Sequence, residues 1–215
     1  MLSAEQRETE WLKLVGTPAR LEIGDGGGFQ EALKAMRHGS DYTALLYIGP
    51  GGEVPGSGLF TDAAADKTLA FILEQVRRGA IREYKRIICF EPDLLTNDQE
   101  LRSGVLRVGE GPGTINRGLG KHCRLMMESK GCSLFVAPAV LKSQVVMFGL
   151  DKVAMTVETT TSHRVAGALF FSNPPNGEII EQLRQLERET ERRMVAIHKI
   201  VFPEETSPRA EVAGR

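Results

Sequence analysis

The chain has 215 residues, 41% hydrophobic and 26% charged, with 27 basic and 28 acidic side chains and a formal net charge of −1. That length supports one core-bearing domain with a short appendage, and the balanced charge lacks the basic surplus with which non-specific nucleic-acid binders neutralise phosphate. No apolar run reaches the ~20 residues that a membrane-crossing helix needs, and Met1–Glu8 shows neither the basic start nor the apolar core of a signal peptide. The expectation is a soluble, cytoplasmic protein with no membrane partner and no direct nucleic-acid contact.

Cys89, Cys123 and Cys132 form an odd, widely spaced set without a CxxC pair, and His38, His122, His163 and His198 are scattered. A zinc site needs ligands at clustered spacing. These residues read instead as reduced thiols and isolated imidazoles, with no metal and no cofactor expected.

In chain order, Ser3–Val15 has helical spacing, with Trp11, Leu12, Leu14 and Val15 toward one side and Ser3 as a cap. Arg20–Ile23 reads as a short strand. Gly24-Asp25-Gly26-Gly27-Gly28 follows, and then Phe29, Ala32, Leu33 and Met36 recur at helical spacing up to His38-Gly39. The glycine cluster satisfies neither GxGxxG nor GxxxxGK[ST], so it reads as a flexible turn rather than a phosphate cradle. Residues 1–40 are therefore expected to be an N-terminal helical segment packed on the domain.

Tyr42–Ile48 is a continuous apolar run suited to a covered central strand. Gly49–Gly58 carries five glycines and two prolines among ten residues, the composition of an irregular loop. Asp66–Tyr84 reads as a helix with Leu69, Ile72, Leu73 and Val76 inward, and Lys85–Phe90 as a second apolar strand. Glu91–Gly113 turns polar and glycine-rich, long enough to suggest either a functional lid or mobility. Thr114–Lys130 reads as a helix capped by Thr114 and closed by Gly131, with Ile115, Leu119, His122, Met126 and Met127 inward. Its start, with Asn116, Arg117, Lys121 and His122 close by, suits either a plain cap or an anion site.

From Gly131 the pattern changes. Ser133–Pro138 leads into Lys142–Phe148, then Val153–Glu158, then Arg164–Phe171. A turn at Asn173–Gly177 follows, and then a charged amphipathic helix from Glu178 to about Ile200. Glu181 with Arg184, and Glu189 with Arg193, are spaced for ion pairs. The charged centre, Glu187–Arg193, suggests that the helix leaves the core there; it reads either as a surface helix covering the sheet or as one whose distal part, Met194–Phe202, docks on a partner subunit. The tail, 203–215, lacks apolar periodicity and reads as disordered. Alternating strands and helices followed by an antiparallel block give an α/β class, a mixed sheet flanked by helices.

The block from Gly131 to Met194 resembles the C-terminal half of the phospholipase D-like fold, in which a His-x-Lys-x4-Asp strand carries phosphodiester chemistry; the resemblance covers roughly Tyr42 to Met194, within a domain of residues 41–202. At that spacing this sequence has Gln144, Val146 and Asp151. The resemblance implies a histidine nucleophile and a lysine offsetting phosphoryl charge, whereas an amide and an aliphatic side chain do neither. Only Asp151 is kept, and an aspartate before Lys152 also suits a hairpin turn. No catalytic residue is therefore assigned. The resemblance also implies a homodimer, because half-domains of this family commonly pair.

Strand alternation puts Lys142, Gln144 and Val146 on one face and Thr156, Glu158 and Thr160 on a face of the next strand. Lys142, Gln144, Asp151, Glu158 and His163 are thus the candidate residues for a small anionic or polar ligand. The leading reading is a catalytically degenerate, ligand-binding or regulatory module. Two alternatives stand beside it: a phosphodiesterase centred on His163, Lys142 and Glu158, and a protein–protein scaffold working through its glycine-rich loops and last helix.

Overall fold

A computed structural model describes residues 20–22, 38–50, 62–158, 165–173 and 176–203. The readings made on Ser3–Val15, Gly24–Gly28, Phe29–Met36, most of the Gly49–Gly58 loop, His163 and the tail from residue 204 lie outside them.

The strands are β1 (Arg20–Glu22), β2 (Ser40–Tyr47), β3 (Ile81–Phe90), β4 (Val105–Val108), β5 (Thr114–Ile115), β6 (Cys132–Pro138), β7 (Val145–Phe148), β8 (Lys152–Glu158), β9 (Val165–Ser172), β10 (Val195–Ala196) and β11 (Lys199–Val201). The helices are α1 (Asp62–Arg77), α2 (Pro92–Asn97), α3 (Gln99–Arg102), α4 (Arg117–Glu128) and α5 (Gly177–Glu191). Eight strands form one mixed sheet in the order β1-β9-β8-β7-β2-β3-β6-β10, and β11-β4-β5 form a small second sheet. The architecture is α/β, a mixed sheet with helices on both faces. β1 closes the sheet edge on β9, with Leu21 opposite Leu169.

Strand alternation separates two layers of core. Val145 and Met147 of β7 join Leu45, Ile87 and Phe171 under Ile180 and Leu183 of α5. Val146 and Phe148 face the other way, toward Tyr42, Tyr84 and the α1 residues Leu69 and Ile72. β2 and β3 are buried on both faces because helices cover both, which is why their sequences are apolar runs rather than alternations.

Five expectations are corrected. Helical spacing from Asp66 runs only to Arg77. Gly79, at φ +74°, reverses the chain, and Ile81 and Tyr84 join β3 opposite Ser40 of β2 and Cys132 of β6. Two open strand edges outweigh the helical preference of the charged residues between them. Glu91–Gly113 is not a lid: it folds into α2, α3 and β4. Asp98 Oδ1 accepts from the amides of Glu100 and Leu101 at 2.9 and 3.0 Å, and Leu101 and Leu106 enter the core. Thr114 lies in β5, and the cap of α4 is Asn116, whose side chain accepts from Leu119 N at 2.8 Å. Met127 is 40% exposed rather than inward.

The last correction concerns the C-terminal segment. α5 stops at Glu191, and its pairs are Arg184–Glu187 and Arg188–Glu181. Its centre does not leave the core, since Glu187 and Thr190 are buried. Beyond it, β10 pairs with β6 and β11 with β4, which buries Ile197, Ile200 and Phe202. The Arg124 guanidinium lies 3.9 Å from the centre of the Phe202 ring. Met194–Phe202, expected to dock on a partner, is a strap joining the two sheets of its own chain.

Candidate functional site

β2 is parallel to β3 on one side and antiparallel to β7 on the other, and β3 is parallel to β6. The carboxyl ends of three parallel strands therefore open at one sheet edge, beside the start of β7. In open α/β sheets ligands sit outside the carboxyl ends of strands, where the connections diverge. Three segments send side chains there: Tyr47 ends β2, Glu91 follows β3, and Lys142 lies between β6 and β7.

The Tyr47 hydroxyl donates to Glu91 Oε1 at 2.7 Å, and Lys142 Nζ stands 2.6 Å from the same oxygen. Lys142 Nζ is also 5.9 Å from the centre of the Tyr47 ring, within cation–π range. Hydrogen bonds from Lys142 and then Tyr47 hold the Glu91 carboxyl below the usual carboxylate range, so it is ionised at neutral pH. The side chain of Lys142 is 70% exposed and that of Glu91 25%, while Tyr47 is buried apart from this edge. Glu91 occupies the N-cap position of α2 but does not cap it. Its carboxylate is turned instead to the Tyr47 hydroxyl and the Lys142 ammonium.

Of the residues expected from sequence, Lys142 belongs to this group. Gln144 lies at the same edge, just before β7, and is buried. β8 runs antiparallel to β7 with Met155 opposite Val145, so the backbone of Glu158 returns to this edge. Asp151 does not join them. It sits in the β7–β8 hairpin at the opposite end, where Gly149 N donates to Asp41 O at the start of β2. Val146 points into the core layer under α1. The alternative anion site on α4 is not assembled: Asn116 caps the helix, Lys121 is exposed and His122 is buried. Sequence reasoning missed Tyr47 and Glu91. The available signal was a tyrosine closing one apolar strand and a Glu-Pro closing the next.

A second polar group lies inside the core. Arg86 Nε and Nη2 donate to the Tyr84 hydroxyl oxygen at 2.8 and 2.6 Å, and that oxygen is 3.1 Å from His122 Nε2. The hydroxyl thus accepts from the Arg86 guanidinium while standing within hydrogen-bond reach of the His122 ring. Burial, reinforced by Arg86, holds the His122 pKa well below its usual value. Burial raises those of Tyr84 and Tyr42. The Tyr42 ring packs edge-on against Tyr84 at 5.1 Å and against Phe148 at 5.4 Å.

All three cysteines are free. Burial pushes the thiols of Cys89 and Cys123 up to about 12 and that of Cys132 to about 11. Among the described residues no group of three or more His, Cys, Asp or Glu side chains is placed to hold a metal ion, and no helix is long and apolar enough to cross a membrane.

No family model and no curated protein matches the chain. Among solved structures it is similar to TrmBL2, described as an archaeal chromatin protein with a novel mode of DNA binding, at 12% identity and a TM-score of 0.45. The match covers 90% of this chain, which spans 61% of that one. The expectation of no direct nucleic-acid contact is withdrawn on this finding, since the similar structure belongs to a DNA-binding protein. At this TM-score the likeness carries no argument about what the present chain binds.

Proposed function

We propose that the chain is a ligand-binding or regulatory module that takes a small polar ligand at the Tyr47–Glu91–Lys142 edge. The reading includes a resemblance to a phospholipase D-like half-domain whose catalytic pair has been replaced. The observation that carries it is the convergence of two side chains, Tyr47 and Lys142, on one carboxylate oxygen of Glu91, the three residues coming from separate segments at the carboxyl ends of parallel strands. Support for the degenerate half-domain comes from the antiparallel run of β7, β8 and β9 followed by α5. The family's histidine position holds a buried amide, Gln144, and its lysine position a core aliphatic, Val146. Neither can attack phosphorus or offset its charge.

The test is thermal unfolding with a panel of neutral, anionic and cationic small molecules, on the wild-type chain and on Glu91→Ala. A ligand at 100 times its Kd stabilises a native state by about 2.7 kcal/mol. At least one class is expected to raise the wild-type Tm, and Glu91→Ala to abolish the rise. A panel that never shifts Tm, or shifts that survive Glu91→Ala, would remove the reading.

A further inference from the structure

We infer that the edge is a site for a primary ammonium group and that Lys142 is its resident occupant; the inference rests on the binding-module reading above and names the ligand class. The recognition elements are fixed and the cation is not. Glu91 is anchored at the end of β3, ionised, and hydrogen-bonded by the hydroxyl of the largely buried Tyr47. Lys142 reaches the same oxygen from the β6–β7 connection on a side chain that is 70% exposed.

An exposed ion pair adds little to stability and restrains a long flexible side chain, so a competing cation displaces Lys142 at small cost. Its ammonium already marks the position that a ligand ammonium would take, 2.6 Å from Glu91 Oε1 and 5.9 Å from the Tyr47 ring centre. A carboxylate on one side and an aromatic face on the other are the two groups that recognise an alkylammonium. Oε2 of Glu91 takes neither of the two internal bonds, so it can accept a second N–H of the ligand.

The local charge favours this over the anionic ligand expected from sequence. With Lys142 displaced, the edge presents the ionised Glu91 carboxylate, which repels a phosphate or sulfate and attracts a cation.

The probe is n-butylammonium, the Lys142 side chain without its backbone, with tetramethylammonium and sodium as cation controls and phosphate and a neutral polyol as ligand controls. Binding is read by NMR titration of the amides around Glu91. The expected result is that Lys142→Ala binds n-butylammonium at least tenfold more tightly than wild type. Glu91→Gln in the Lys142→Ala background is expected to remove that binding, with the far-UV circular dichroism of the folded chain unchanged. Equal affinity of wild type and Lys142→Ala would overturn the inference. So would binding that persists in the double variant, or tetramethylammonium binding as well as n-butylammonium. Should phosphate or the polyol bind through Glu91 while n-butylammonium never does, the module stands and the ammonium assignment falls. Should no compound respond to Glu91, both fall together.

Discussion

Two tyrosine-centred polar groups sit in this protein, one at the open edge of the sheet and one in its core. Tyr47, Glu91 and Lys142 join an acid to a base where water reaches the lysine; Tyr84, Arg86 and His122 join a cation to two neutral groups where it does not. In the core every donor and acceptor direction of the Tyr84 hydroxyl is taken, and neutral His122 is the form that burial favours. At the edge the interactions are no longer than these, yet one partner is free to leave. The difference lies in solvent access: a buried polar group is held by the cost of losing its partner, whereas an exposed one can exchange its partner for a ligand.

The comparison predicts unequal losses on mutation. Tyr84→Ala removes a fully buried ring and the acceptor for Arg86, and should cost about 3–5 kcal/mol in urea denaturation. A loss below 1 kcal/mol would show that the core group is not structural.

Acid should act on the core group before the edge. The folded-state pKa of His122 is depressed, so its contribution is complete above the unfolded value near 6.5. It is lost as pH falls from there toward the folded pKa, because only the unfolded chain takes up the proton. The slope should approach about 1.4 kcal/mol per pH unit, and His122→Gln should flatten it. Glu91 is also depressed, so its smaller contribution persists to lower pH and fades only below the usual carboxylate range.

At the edge, Lys142→Ala should change stability by less than about 1 kcal/mol, although it is expected to change ligand binding strongly. The smallest effect is expected at the cysteines. With thiols pushed up to about 12, Cys89 and Cys123 should resist alkylation at pH 7.5 in the native chain and react once it is unfolded. Rapid native labelling would show that the core around Cys123, on α4 beside His122, opens readily.

Much of the fold was legible because it is local. The apolar runs at Tyr42–Ile48 and Lys85–Phe90, the inward spacing of Leu69 and Ile72, and the strand-forming runs between Ser133 and Phe171 all follow from periodicity. The candidate site was legible only in part. Gln144 was reached through a motif spacing and Lys142 through strand alternation, but Asp151, taken from the same spacing as Gln144, lies at the far end of β7.

By itself the sequence settled which residues are apolar and at what period they recur. Only the tertiary structure decided that Ile81–Tyr84 and Val195–Val201 become strands, because their partners lie on segments distant in the chain. It also decided that Tyr47 and Glu91, 44 residues apart, meet at one edge. The parallel crossover from β2 through α1 to β3 brings the two strand ends together, and no local pattern in the chain encodes that distance.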